Sequence, residues 1–309
     1  MRLLLCADAG PATGLGHVAR CVAFAEEAAA RGWDVVFSGE PGWFADAFDH
    51  VVPGTDDVGA LAEDIGADVL VVDHYRLPSS STVRTPGVVL VSMESGRFGR
   101  RPADVVVDSG LVPHDRPDDG SGLVLRGPRY APLRAAVRAA RGRRRRGTPP
   151  KVVVTMGGSH APEAVGTVLR ALRDSAVPAD VLALAASPVD APDPLPGQRF
   201  TVAPLGDLPA VAADADLVVS AAGVTLLELC CIGLPTGLVQ LVDNQARGYR
   251  AAVDLGAGLG LGTPEAIDHQ ALRRLLTDLA LRDRLAATAA ALVDGLGAAR
   301  VLDSVPSRE

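Results

Sequence analysis

The sequence predicts an α/β protein with two Rossmann-like domains that face one another across a cleft. Short runs rich in Val and Leu alternate with Ala-rich helical patterns along the chain, which is typical of parallel sheets with crossover helices. The 309 residues exceed what one hydrophobic core usually organises. A basic stretch interrupts the alternation near the middle of the chain. We therefore expect a first domain at 1–142, a linker at 143–149 and a second domain at 150–309.

The first half is expected to begin with a strand and then a helix whose apolar residues share one face. After Gly16, the residues Val18, Cys21, Val22 and Ala25 recur at three- and four-residue steps, so this face can pack on a sheet. Apolar runs predict the strands of that sheet at 2–6, 34–37, 69–72 and 88–91.

The central basic stretch, 141–150, contains a run of arginines with glycines and prolines, so the helical pattern stops there. A solvated loop explains it better than a nucleic-acid-binding arm, because no aromatic residues lie among the arginines. Further strands are predicted at 151–155, 181–184, 217–220 and 236–241. Ligands of such sheets bind beyond the carboxyl ends of the strands, so the residues that follow each strand are the candidates for a site.

Composition restricts the partners of the chain. Thirty basic and thirty-seven acidic residues give a net charge of -7, which disfavours nucleic acid or an anionic membrane as the main partner. The four cysteines have no C-x-x-C spacing, and Cys230 and Cys231 resemble apolar filler in a helix, so we expect a reduced, cytoplasmic protein. The apolar run at 3–7 ends at Asp8, and no later run approaches the ~20 residues of a membrane span, so neither a signal peptide nor a span is expected.

A glycine-rich loop follows the first predicted strand and leads into a helix at His17. Gly14 and Gly16 permit a close backbone approach to a ligand. The helix dipole disfavours imidazolium in the first turn, so a neutral His17 can act as a base. A capping or packing histidine is the alternative, and the flanking glycines favour the functional interpretation. Arg20 either contacts the substrate or forms a structural ion pair with Glu26 or Glu27 nearby.

Three polar residues, Asp73, His74 and Tyr75, directly follow the apolar run at 69–72. Polar groups placed together at the end of a strand are typical of a site. They can equally bond to nearby loops at a strand terminus. The sequence leaves these two interpretations open.

The second half carries two further candidate loops. Gly157, Gly158 and Ser159 follow one predicted strand, and Gly223 precedes a helix that begins near Thr225. Exposed amides at such a helix start favour a phosphate. Glu228 shares a helix face with Thr225, so the hydroxyl can meet a diphosphate while the carboxylate meets ribose hydroxyls.

The last candidate pair, Asn244 and Gln245, follows the strand predicted at 236–241. Carboxamides both donate to and accept from sugar hydroxyls, so we assign this pair to substrate binding. A helix N-cap at Asp243 is the alternative for this turn, and it does not account for Gln245.

With these motifs, the chain resembles the nucleotide-sugar hydrolases of the pseudaminic-acid pathway, the related spore-coat polysaccharide biosynthesis proteins and, more distantly, the two-domain glycosyltransferases that use UDP-GlcNAc. The resemblance spans nearly the whole chain, and its most specific segments are 14–21, 72–75, 127–130 with 133–134, 156–159, 220–235, 244–245 and 294–301. It implies a GT-B-like fold and a hydrolysis that needs no metal or cofactor, in which water attacks the anomeric carbon of a UDP-sugar and UDP leaves. His17 matches the catalytic histidine of the family, and Tyr75 matches a tyrosine near the same water.

Two loops depart from the family pattern. Residues 92–95 and 108–110 stand where the family usually has an Asp-Asp pair and a D-x-N-like segment, so the sugar or the reaction can differ. The leading hypothesis is hydrolysis of a UDP-activated amino or deoxy sugar. One alternative is a UDP-sugar-dependent glycosyltransferase of antibiotic or surface-glycan biosynthesis, which needs the same kind of general base. The other is a catalytically silent sugar-nucleotide-binding protein. The oligomeric state stays open.

Overall fold

The computed structural model describes residues 1–7, 16–75, 77, 83–96, 98–143, 146–157 and 162–306, without the side chain of Asn244. The chain forms two compact units. The first contains Met1–Ala135 together with Gly295–Glu309, and the second contains Ala136–Asp294. The C-terminal segment thus belongs with the first unit, whereas the sequence analysis placed it in the second domain.

The first unit is built on a parallel sheet of seven strands. These strands are β1 (Arg2–Ala7), β2 (Asp34–Ser38), β3 (His50–Val52), β4 (Val69–Asp73), β5 (Val89–Met93), β6 (Val105–Asp108) and β7 (Leu123–Arg126). Their order is β3-β2-β1-β4-β5-β6-β7. Between strands lie the helices α1 (Gly16–Ala30) and α2 (Val58–Asp64). The predicted amphipathic helix is confirmed, because α1 buries Val18, Cys21 and Phe24 in the core formed with the sheet.

The second unit has a parallel sheet of six strands. They are β8 (Lys151–Thr155), β9 (Ala179–Ala185), β10 (Gln198–Pro204), β11 (Leu217–Ala221), β12 (Thr236–Val239) and β13 (Leu259–Gly260). Their order is β10-β9-β8-β11-β12-β13. Two short strands, β14 (Gly262–Thr263) and β15 (Ala266–Ile267), form a separate antiparallel pair.

Helices accompany the second sheet, and one begins at the boundary between the units. They are α3 (Ala135–Ala140), α4 (Pro162–Asp174), α5 (Leu208–Ala213), α6 (Thr225–Ile232), α7 (Ala246–Asp254), α8 (His269–Thr277) and α9 (Leu279–Leu292). The chain ends with α10 (Gly297–Asp303).

Close packing explains why α10 belongs to the first unit. A Cβ atom added to Gly297 would lie 2.1 Å from the Ala131 carbonyl oxygen, so only glycine permits this contact of the helix with the backbone. Val301 and Leu302 of α10 then enter the same core as α1.

The arginines near the predicted linker are attached to the second unit. The Arg141 guanidinium donates to the carbonyl oxygens of Cys231, Ala290 and Val293, each at 2.7 Å. It thereby satisfies carbonyls at the ends of α6 and α9, which lack helical partners. Arg146 forms an exposed ion pair with Asp283. The predicted linker 143–149 thus lies inside the second unit, with residues 144–145 outside the described part of the chain.

One stretch corrects the expectation that no apolar run approaches a membrane span. Within the described residues, Leu279–Asp303 alone is long and apolar enough by length and composition, and 44% of its most apolar window is buried. It is split between α9 and α10, with Gly295 in the left-handed region at φ 84°.

The four cysteines are buried and form no disulfide. Burial raises the pKa of Cys6 and of Cys230 to about 12. These thiols stay neutral and pack as small apolar groups, which confirms the interpretation of Cys230 and Cys231 as helix filler.

Each sheet has one topological switch point, where successive strands are added on opposite sides. In the first unit it lies between β1 and β4, and in the second between β8 and β11. Ligands of open parallel α/β sheets bind at such points, beyond the carboxyl ends of the strands. The candidate residues lie mainly at these two places.

Candidate functional site

A buried histidine and aspartate meet at the switch point of the first unit. Asp73 is the last residue of β4 and pairs in register with Ala7 at the end of β1. His17 lies in the first turn of α1, which follows β1. The His17 Nδ1 atom is 2.7 Å from Asp73 Oδ1, and both side chains are at most 6% exposed.

Arg20, one turn further along α1, forms a bidentate ion pair with the same carboxylate. Its Nε donates to Asp73 Oδ2 at 2.6 Å and its Nη2 donates to Oδ1 at 2.8 Å. This bidentate pair replaces the predicted alternative of an ion pair with Glu26 or Glu27. Glu27 instead pairs with Arg31, and Glu26 accepts a hydrogen bond from the Ala135 amide.

These contacts keep Asp73 ionised and orient the imidazole ring. Burial raises the pKa of Asp73, but the positive charge of Arg20 and the contacts with His17 outweigh it and hold the pKa well below its usual range. Asp73 is therefore ionised and accepts a hydrogen bond from His17 Nδ1. Arg20 Nη2 also lies 3.0 Å from Nδ1, and we assign its proton to the closer carboxylate oxygen. In a neutral imidazole with its proton on Nδ1, Nε2 is the nitrogen with a free lone pair. Nε2 bonds to none of the described residues.

Tyr75 and His74 continue from Asp73 into the loop. The Tyr75 ring contacts the His17 ring edge to face, with ring centroids 4.3 Å apart and planes at 88°. His74 Nδ1 accepts a hydrogen bond from the Leu77 amide at 3.1 Å. His74 thus stabilises the loop, whereas Tyr75 covers the candidate base.

The sequence analysis missed Arg101, which is 1% exposed. Its Nη2 donates to the His74 carbonyl oxygen at 2.8 Å, and its Nε donates to the Gly99 carbonyl oxygen at 3.1 Å. Arg101 therefore ties the loop after β4 to the loop after β5. Several arginines lie near it in the sequence, so no pattern distinguishes this buried one.

The two loops that depart from the family pattern also contain buried carboxylates. Glu94 follows β5 and pairs with Arg116 at 3.0 Å. Asp108 ends β6, and its Oδ2 accepts hydrogen bonds from the His114 amide at 2.7 Å and from His114 Nδ1 at 3.1 Å. A buried acid with a basic partner therefore lies at the end of β4 and of β6 and directly after β5.

At the switch point of the second unit, the loop after β8 approaches the start of α6. Gly157 has a φ of +74°, and a Cβ atom there would lie 3.2 Å from Thr225 Oγ1. Thr225 is the first residue of α6 and follows Gly223 after β11. Glu228, one turn further along this apolar helix, is buried with 9% of its surface exposed.

Gln245 ends the short helical turn Asp243–Gln245 and precedes α7. Its Oε1 accepts a hydrogen bond from the Leu241 amide at 3.0 Å. One half of the amide group therefore fixes the turn. Its Nε2 bonds to none of the described residues and is available to a ligand.

Several candidates lie outside what the structure describes. Gly14, Gly158, Ser159 and the Asn244 side chain are outside the described part of the chain. Gly16 is described as the first residue of α1. Among the residues described, no cluster of three or more His, Cys, Asp or Glu side chains is arranged to hold a metal ion.

The two Rossmann-like units define the fold of the GT-B glycosyltransferases. MurG of Acinetobacter baumannii superimposes with a TM-score of 0.68 at 18% identity, over 98% of this chain and 99% of MurG. A glycosyltransferase of kitacinnamycin gives 0.67 at 15% identity, over 99% and 98%. SsfS6 of Streptomyces sp. SF2575, solved with thymidine diphosphate, gives 0.62 at 17% identity, over 98% and 99%. The predicted fold is confirmed.

Similarity in sequence is more limited. The spore coat polysaccharide biosynthesis protein SpsG of Bacillus subtilis is 32% identical over 99 residues, which are 31% of this chain and 29% of SpsG. The match therefore spans less than a third of that protein. No protein-family profile matches the chain.

Proposed function

We propose that this chain is a nucleotide-sugar-dependent glycosyltransferase in which His17 is the general base. The observation that carries the proposal is the buried pair at the first switch point. There Asp73 accepts a hydrogen bond from His17 Nδ1, so that Nε2 is the proton-free nitrogen of the neutral ring. The solved structures named above are glycosyltransferases, which favours transfer over the hydrolysis that was the leading hypothesis from the sequence.

The proposed reaction is a displacement at the anomeric carbon. An acceptor hydroxyl or amine forms a bond to that carbon, while the bond to the nucleoside diphosphate breaks and the diphosphate leaves with the electron pair. His17 Nε2 takes the proton from the acceptor. The ionised Asp73 stabilises the imidazolium that results and keeps the ring oriented, while Arg20 holds Asp73 in place.

We assign the second unit to the nucleotide. Backbone amides between Gly223 and Thr225 suit the diphosphate, and buried Glu228 suits the ribose hydroxyls. Gln245 Nε2 and the Asn244 side chain are assigned to polar groups of the donor. The resemblance noted in the sequence points to uridine, and the thymidine diphosphate in SsfS6 adds thymidine to the nucleotides to be tested.

Hydrolysis is the second candidate function. Its specific support is the confinement of the base, because the His17 side chain is only 6% exposed and Tyr75 lies against it. Water reaches such an atom more easily than a large acceptor does. The partial match to SpsG is compatible with either reaction.

Proton NMR of the purified protein with panels of UDP- and dTDP-sugars separates these functions. We expect slow release of free sugar without acceptor and at least about tenfold faster release of nucleoside diphosphate when an acceptor phenol or amine is added. Fast, acceptor-independent release of free sugar would establish hydrolysis instead. Nucleotide-sugar binding without turnover under any condition would indicate a silent binding protein.

A further inference from the structure

A series of aromatic rings leads from the buried histidine to the surface. The Tyr75 ring lies against His17, and the Phe98 ring lies 5.5 Å from Tyr75 between centroids. Phe98 is 42% exposed, although a phenylalanine side chain gains from burial. Part of the Phe98 ring is therefore open to solvent, one ring away from the candidate base.

The exposed ring is held in place by its own loop. The backbones of Ser95 and Phe98 exchange two hydrogen bonds of 3.0 and 3.1 Å. The next carbonyl oxygen, of Gly99, accepts hydrogen bonds from Ser92 Oγ and Arg101 Nε. A Cβ atom at Gly99 would lie 2.6 Å from the Met93 carbonyl oxygen, so the chain is tightly packed there. Phe98 is therefore presented on a defined support.

A polar group lies on the other side of this loop. A Cβ atom at Gly96 would lie 3.0 Å from His114 Cδ2, so the loop and the His114 ring are adjacent. Asp108 binds His114 Nδ1, while Nε2 bonds to none of the described residues and the side chain is 27% exposed. Since β4 and β6 are two strands apart, their ends lie about 10 Å from one another.

We propose that Tyr75 and Phe98 form the seat of the acceptor, and that this acceptor is a flat, apolar ring compound with a hydroxyl or amine directed at His17. His114 Nε2 is placed for a polar substituent at the far end of the ring. A phenylalanine ring offers no hydrogen bond to a sugar or a diphosphate, but it stacks well on an aromatic or fused-ring face. The inference rests on the proposed transfer reaction and names its acceptor class.

Binding of 2-naphthol to the full chain tests this proposal without any donor. We compare Phe98→Ala with Leu123→Ala, because Leu123 is 44% exposed and begins β7 at the amino ends of the strands, whereas Phe98 follows the carboxyl end of β5. The Kd for 2-naphthol, measured by ligand-observed NMR, is expected to rise about tenfold in Phe98→Ala. It should stay at the native value in Leu123→Ala and close to it in Phe98→Tyr, which keeps the ring.

Two results would overturn the acceptor seat. One is native affinity for 2-naphthol in Phe98→Ala, and the other is the absence of saturable binding to the native protein. Because Phe98→Tyr preserves the aromatic ring, a loss of binding in that variant equal to the loss in Phe98→Ala would also count against stacking.

The failure of the proposed function is distinguishable from the failure of the acceptor seat. If 2-naphthol binds through Phe98 but no nucleotide sugar is turned over, the transferase assignment fails and the seat stands. If turnover is rapid with sugar or alcohol acceptors while 2-naphthol binds equally to all variants, the seat fails and the transferase stands.

Discussion

His17 Nδ1 and Asp73 Oδ1 lie 2.7 Å apart, on opposite sides of the point where the first sheet reverses its strand order. This places the imidazole where ligands of such sheets bind, and it fixes which ring nitrogen carries the proton. The two residues are 56 positions apart in sequence. They meet because β1 and β4 are adjacent parallel strands of the sheet.

Asp73→Asn tests the role of the carboxylate. An amide in this place can donate to Nδ1, which favours the tautomer whose Nε2 already carries a proton and cannot act as a base. We expect kcat to fall at least about 100-fold with little change in the Kd for UDP. Asp34→Asn is the control, since the Asp34 side chain is 71% exposed. Native kcat in Asp73→Asn would contradict the assigned tautomer.

Arg20→Met tests whether the ion pair of Arg20 with Asp73 stabilises the fold. The change leaves a buried carboxylate without its bidentate partner, so we expect the free energy of unfolding to fall by about 3 kcal/mol. Arg20→Lys keeps the charge and should lose less. Urea denaturation measures both. A Met variant as stable as the native protein would show that the pair contributes nothing.

Asp119 gives a pH dependence with a defined sign. Hydrogen bonds from Arg116 lower its pKa to about 2, from an ordinary value of 3.8. Because the unfolded chain takes up this proton at a higher pH, the contribution to stability is complete above about pH 4 and declines as the pH falls towards 2. The difference in urea midpoint between the native protein and Asp119→Asn should be larger at pH 6 than at pH 3. A difference that grows on acidification would reverse this account.

Gly297→Ala tests the attachment of α10. The added Cβ would meet the Ala131 carbonyl oxygen at 2.1 Å, and backbone cannot yield as a flexible side chain does. We expect a loss of about 3 kcal/mol in the free energy of unfolding. Gly206→Ala is the control, because its Cβ would find the nearest atom at 4.0 Å. Equal free energies of unfolding for the two variants would contradict this, because α10 would then move to accept the added Cβ with no loss of stability.

Much of the fold followed from hydrophobic patterning. The predicted strands at 2–6, 69–72 and 217–220 differ from β1, β4 and β11 only at their carboxyl ends. Patterning missed β6 and the four edge strands β3, β7, β10 and β13. The edge strands are only partly buried, so they lack a continuous apolar run. The domain boundary was missed because the contact of Gly297 with Ala131 joins residues far apart in sequence.

The site was predicted in part. His17 and Asp73 were selected because each follows a predicted strand, but their direct contact depends on strand order, which sequence spacing does not give. An ion pair of Arg20 with Glu26 or Glu27 was considered because these residues are close to it on the same helix. The sequence does not show that Asp73, 53 positions away, contacts Arg20. The pairing of Asp108 with His114 also arises from a loop conformation rather than from a pattern.

The most direct test of the central claim is the rate of nucleoside diphosphate release by His17→Ala with the best nucleotide sugar and acceptor. His50→Ala is the matched control, because His50 is exposed on β3. We predict a loss of about 100-fold to 10,000-fold in kcat for His17→Ala, native UDP affinity in both variants and native kcat in His50→Ala. Release by His17→Ala at the native rate would contradict the assignment of His17 as the base.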